Sequence, residues 1–104
     1  MASVIRGSDN FDSSSLIGVG QTWEAVTGSR SLGTTYTNST GKPIHVLVTI
    51  TAGGGISDLT VGGVLIAKFE TQSTVYTQCG FIVPDGVTYV ISSNEVLILW
   101  AELR

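Results

Sequence analysis

Turn chemistry recurs along this chain at intervals that leave room for short strands and little else. "TGSRSLG", "NSTGK", "AGGGIS", "GG", "ETQS", "PDG" and "SSN" follow one another from residue 27 onward. Their Gly, Pro, Asn, Asp and Ser residues accept positive φ, fix φ, or hydrogen-bond their own backbone. The segments between are built from Val, Ile, Thr and aromatic residues, which pack well on a pleated surface. A turn every roughly eight to twelve residues is the spacing of a sandwich or barrel. Strands are expected near residues 21–26, 33–38, 43–51, 57–61, 64–70, 74–83, 87–92 and 95–103. The one stretch with helical character, "QTWEAVTGS", is broken by Gly28. The reading is all-β: an antiparallel β-sandwich of about eight short strands over residues 16–104. A polar tether over residues 1–15 precedes it, with Val4, Ile5 and Phe11 as its only anchors.

Two strands carry more information than the rest. In "GTTYTNSTGKPIHVLVTIT", Ile44, Val46, Val48 and Ile50 alternate with His45, Leu47, Thr49 and Thr51. Period two puts the first set on an apolar face and the second on a mixed one. The preceding "TNSTGKP" reads as the turn of a hairpin joining 33–38 to 43–51. The last strand, "EVLILWAELR", is apolar on both faces, with Leu97, Leu99, Ala101 and Leu103 on one side and Val96, Ile98 and Trp100 on the other. Such a strand is central or is covered by a neighbouring subunit. "VGGVLIA" reads as a tight hairpin, because adjacent glycines suit the primed turns.

Only 12% of the 104 residues are charged, against about one-quarter in typical domains. Large neutral surfaces follow, and these favour subunit contacts. Five basic and eight acidic residues are scattered, with no cluster to neutralise phosphates, so nucleic-acid binding is not expected. A single cysteine, Cys79, allows no internal disulfide and is read as a small, buried apolar residue. No apolar run approaches the roughly 20 residues of a membrane span and no signal-peptide core is present, so a soluble chain made in a cytoplasm is expected.

Catalytic chemistry finds few footholds. The only histidine, His45, sits mid-strand, and no G-x-S-x-G elbow occurs. One His and one Cys are too few for a zinc site within one chain, although a three-fold axis could gather three copies of His45. The carboxylates stand mostly at turns as caps; Glu102, on the Trp100 face, reads as an edge residue or as an ion-pair partner of Arg30 or Arg104. The glycine runs lack the Lys and helix of a phosphate loop. Neither an enzyme nor a cofactor is expected. Sugar binding needs an exposed ring with amides or hydroxyls nearby. Tyr36 in "TTYTNST" and Tyr76 in "STVYTQCG" qualify, with Gln78 and Asn94 as polar companions. The alternative for both tyrosines is a core or cross-strand role with a wet hydroxyl. Trp23 and Trp100 are assigned to the core or a subunit interface.

The pattern G-x-G-Q-T-W, then S-R-x-x-G-T-x-Y-x-N-x-T-G-K-P-I, with "LTVGGVLIA" and a closing "LILWAELR", resembles the C-terminal domain of many tail fibre proteins of tailed bacteriophages. The resemblance covers roughly residues 16 to 104. It implies a homotrimeric β-sandwich at the end of a fibre, a structural or receptor-binding virion part that is not an enzyme. Partners would be other copies of the chain, other phage tail or virion proteins, and a bacterial surface glycan or protein receptor, with no membrane insertion. The place would be the virion tail, after synthesis in the host cytoplasm. Gln21, Thr22, Trp23, Arg30, Gly33, Thr34, Tyr36, Asn38, Thr40, Gly41, Lys42, Pro43 and Ile44 carry the motif and are read mostly as fold and turn determinants. With a subunit contact in view, His45, Leu47, Thr49 and Trp100 are the expected interface residues. Turns 52–58, 70–80 and 92–95 are the natural tip. A fibre would supply a long shaft before Met1, so the chain is either one domain of a fibre or a free-standing capsid decoration or tail-assembly protein.

Overall fold

A computed structural model describes residues 16–51, 55–70 and 75–104. The expected tether over 1–15, and residues 52–54 and 71–74 of the expected tip loops, lie outside the described residues. The strands are β1 (Trp23–Ala25), β2 (Tyr36–Thr37), β3 (Ile44–Thr51), β4 (Ile56–Val61), β5 (Val64–Glu70), β6 (Thr77–Val83), β7 (Thr88–Ser92) and β8 (Val96–Leu103). They form two four-stranded antiparallel sheets packed as a sandwich. The first sheet has the order β1-β8-β3-β6 and the second β2-β7-β4-β5. In place of the helical candidate there is a single 3-10 turn at Thr27–Ser29.

The alternation in β3 does what its period demands. Ile44, Val46, Val48 and Ile50 are buried and meet Leu59, Tyr89 and Ile91 of the second sheet, with Phe81, Val83 and Trp100 filling in from their own. Fully burying such a side chain contributes roughly 1.5–3 kcal/mol, so this shared layer holds the sheets together.

The segment before β3 is not a hairpin. β2 pairs with β7 in the second sheet, while β3 belongs to the first, so residues 38–43 arch from one sheet to the other. Asn38 builds that arch. Its buried amide donates to the carbonyls of Lys42, Val83 and Pro84, and its Oδ1 accepts from the Thr40 amide and hydroxyl. A local side-chain network can therefore direct the chain across the core as well as back along it. The chain changes sheet at every connection but one. That one is the "VGGV" turn between β4 and β5, where Gly62 and Gly63 have φ of 60° and 80° and Val61 pairs with Val64.

The closing strand departs from simple alternation. Thr49 pairs with Leu99 but Ile50 pairs with Leu97, so Ile98 is the extra residue of a β-bulge. Beyond the bulge the faces exchange. Leu97 turns toward the core, whereas Leu99, Ala101 and Leu103 stay outside; Val96 and Ile98 are exposed rather than sharing the Trp100 face.

Candidate subunit interface

Pairing fixes which side chains share the outer face of the first sheet. Trp23 and His45 both pair with Leu103, Ala25 and Leu47 with Ala101, and Thr49 with Leu99 and Gln78. Ile82 lies opposite His45 and Gly80 opposite Leu47. Across all four strands this face presents not one Lys, Arg, Asp or Glu. It is also apolar: Leu47 is 41% exposed, and Trp23, Ile82 and Leu99 are each about half exposed. A solvated antiparallel face ordinarily alternates into polar and charged residues.

The face has relief. Leu47 lies over Gly80, where an added Cβ would come within 2.8 Å of Leu47 Cδ2. Beside it, Leu47, Thr49, Gln78, Leu99 and Ala101 border a mostly apolar trough of about 140 Å³. The trough crosses β8, β3 and β6, and Trp23 stands beside it on the edge strand β1, its ring 5.5 Å from that of His45.

Trp100 is a correction to the expected interface set. It is 0% exposed and points into the sandwich, because residues 100 and 102 share the inner face of β8. What it meets there is a buried charge cluster. Glu102, also 0% exposed, accepts from Arg30 Nε and Nη2 at 3.2 and 3.1 Å and from Arg104 Nη1 at 2.8 Å. It further accepts from the Tyr89 hydroxyl at 2.7 Å and Trp100 Nε1 at 3.0 Å. Both arginines anticipated from sequence are its partners. Burial would raise the Glu102 carboxyl, but the hydrogen bonds from Arg30, Tyr89 and Trp100 outweigh it and hold the group below its ordinary value. Burial and the bond to that carboxylate push Tyr89 up to about 12.

The four residues expected to bind a ligand do not gather. Tyr36 is a packing residue: its ring lies 5.9 Å from those of both Trp100 and Tyr89, with the Arg30 guanidinium 4.7 Å from its centroid. Its hydroxyl accepts the Ser31 amide at 2.8 Å. That is the core and cross-strand alternative, and it leaves no open face for a sugar. Tyr76 is 68% exposed just before β6, near the end of the first sheet where Thr51 meets Val96. Gln78 borders the trough. Asn94 belongs to a separate recess of about 220 Å³ with Ile56, Asp58, Ser92 and Ser93.

Sequence reasoning missed Glu95, expected as a turn solubiliser. It is buried, and its Oε1 accepts the Gly55 amide at 2.6 Å, joining the β7–β8 turn to the start of β4. Only the three-dimensional approach of residue 55 could reveal it. Cys79 is half-buried on β6, and burial pushes its thiol up, away from the reactive thiolate. Among the described residues no group of three or more His, Cys, Asp or Glu side chains could hold a metal, and no helix is long and apolar enough to cross a membrane. Compared with protein-family models, curated proteins and solved structures, the chain shows no significant match.

Proposed function

We propose that this chain is a bacteriophage virion domain of the tail-fibre type, which assembles as a homotrimer and contacts the bacterial surface without catalysing a reaction. The observation that carries the assembly is the outer face of the first sheet, apolar and without formal charge across four strands. Fully burying a Leu or Ile side chain gains roughly 1.5–3 kcal/mol, and about half of that where, as here, the side chain is already half covered. Association gives up about 4–15 kcal/mol of rotational and translational freedom. Completing the burial of Leu47, Ile82, Leu99 and Trp23 on each of several subunits is of the size needed to offset that loss. No charge is stranded in doing so, which would otherwise cost several kcal/mol.

The viral role comes from the sequence resemblance, and the compact, turn-tied arch around Asn38 agrees with reading that motif as scaffold. Host contact then falls to the connections at the end of the sandwich that carries Tyr76 and Asn94, since loops tolerate change while strands hold position. Purified protein tested on a panel of bacterial surface polysaccharides and on whole cells should bind at least one of them. Binding should weaken when Tyr76 or Asn94 is replaced by Ala. A trimer that binds no surface would leave a decoration or tail-assembly role and overturn the receptor reading.

A further inference from the structure

We infer that the recess around Asn94 is a saccharide subsite, shaped for an uncharged sugar residue of the host surface. The inference rests on the host-contact reading above and names its ligand class and the groups that hold it. The recess lies on the outer face of the second sheet, away from the proposed subunit contact, so assembly through the first sheet leaves it open. Asp58 and Ser92, paired across β4 and β7, form its floor, with Ile56, Ser93 and Asn94 around them. A second recess of about 260 Å³, bordered by Lys68, Phe69 and Glu70, adjoins it across Ile56.

Hydrogen bonds fix the wall of this recess. Ser57 Oγ donates to Ser93 Oγ at 2.7 Å, the Glu95 amide donates to Ser93 Oγ at 3.0 Å, and Glu95 Oε1 accepts the Gly55 amide. Gly55 and Ser57 flank Ile56, so the β7–β8 turn is tied to β4 on either side of that residue. Asn94 stands between the two anchored positions. A wall held in place beforehand gives up little freedom when a ligand arrives. The Asn94 side-chain amide and the Ser92 hydroxyl, by contrast, make no hydrogen bond among the described residues.

These unused groups select the ligand. A carboxamide and a hydroxyl each donate and accept, and the Asp58 oxygen not taken by Lys68 accepts. That mixture suits sugar hydroxyls, which are donors and acceptors at once. Ile56, 62% exposed, and the half-buried Phe69 ring give apolar surface for the C–H face of a pyranose. An acidic sugar is disfavoured, because the carboxylates of Asp58 and Glu70 face a single ammonium, Lys68, already 2.9 Å from Asp58. A peptide adding as a strand is disfavoured too. Hydrogen bonding to β5 on one side and β7 on the other leaves β4 no free edge.

NMR titration of the isotope-labelled chain tests this residue by residue, with galactose, glucose and N-acetylglucosamine as neutral probes and galacturonic and N-acetylneuraminic acids as acidic ones. At least one neutral sugar should shift the Asn94 side-chain amide and the Ser92 and Ser93 backbone amides saturably, with a Kd on the order of 1 mM. The acidic sugars should leave those signals in place. Ser92→Ala removes one receiving group from an exposed position and should weaken that sugar on the order of tenfold, the size of one lost hydrogen bond. Its spectrum away from the recess shows whether the variant has folded, and the parent's own shifts need no variant. Binding of the parent to whole cells should fall after periodate oxidation of their surface glycans. Cell binding that survives periodate, sugar binding that spares Asn94 and Ser92, or an acidic sugar that binds there best overturns the subsite and leaves host contact standing. A chain that binds neither cells nor any of the sugars overturns both.

Discussion

The outer faces of the two sheets are made from the same kind of strand and differ in one respect. The first sheet shows its surroundings His45, Leu47, Thr49, Gln78, Ile82, Leu99, Ala101, Leu103 and Trp23, none of them an acid, lysine or arginine. The second shows Asp58 and Lys68 paired at 2.9 Å, with Glu70, Thr60, Ser92 and Thr88 around them. Its exposed Val64, Leu65 and Ile66 sit together at the tip of the β4–β5 hairpin, and Ile56 stands exposed opposite Glu70 at the other end. One face carries formal charge among its apolar residues and the other carries none. Both cover the same core, so the difference cannot be a requirement of the fold. It is a surface property, and surface charge governs association far more than folding.

Substitutions that break the shared core should have the largest effects and should not distinguish the faces. Glu102→Leu would leave Arg30 and Arg104 without their carboxylate, and removing one partner of a buried pair costs about 3–5 kcal/mol. Urea denaturation of the folded chain should show that loss. The same group makes stability depend on pH. Because its folded value lies below the ordinary 4.5, its contribution is complete above that pH and fades as pH falls through the depressed folded value. The stability difference between the parent and Glu102→Leu should therefore shrink in acid and stay constant from pH 6 upward to the onset of tyrosine ionisation. Tyr89 provides the alkaline counterpart. Raised from 10.0 to about 12, its contribution is complete below pH 10 and lost as pH rises through about 12, which ultraviolet difference spectra can follow.

The two tryptophans on opposite sides of the first sheet sharpen the comparison. Trp100→Ala should cost about 3–5 kcal/mol in unfolding free energy, as a buried aromatic deletion does. Trp23→Ala, measured on dilute chains, should change it by less than about 1 kcal/mol, because β1 contributes an exposed ring to an edge. Equal losses at the two positions would mean that the outer face supports the fold after all. The smallest effect belongs to the second sheet. Lys68→Ala removes a mostly exposed ion pair, worth about 0–1 kcal/mol in general, and should leave both melting and assembly essentially unchanged.

Much of this architecture could be read before the structure, and the misses have specific causes. The β3 alternation and the Gly62–Gly63 hairpin follow from local pattern, whereas for Glu102 the sequence leaves an edge position and an ion pair with Arg30 or Arg104 both open. The arch at Asn38 was not legible, since turn residues announce a change of direction but not which sheet receives the next strand. The bulge at Ile98 exists only in the register between β8 and β3, and no property of "EVLILWAELR" by itself marks it. Trp100 was misplaced for a related reason. A strand apolar on both faces does not say which face is inside, and Glu102 on the Trp100 face points away from burial until its arginine partners are known. Of the expected interface residues, His45, Leu47 and Thr49 stand on the outer face, and the expected ligand set is divided because adjacency to polar residues in sequence does not bring Tyr36, packed on Trp100 and Tyr89, to the end that carries Tyr76 and Asn94.

The central claim is that the uncharged face exists to meet another copy of the chain. Light scattering across a concentration series, with Leu47→Asp and Lys68→Ala alongside, tests it most directly. The account predicts three times the 10.9 kDa chain mass for the parent and for Lys68→Ala, and a single-chain mass for Leu47→Asp. A parent that stays at one chain mass at every concentration, or a Leu47→Asp variant that still assembles, would contradict it.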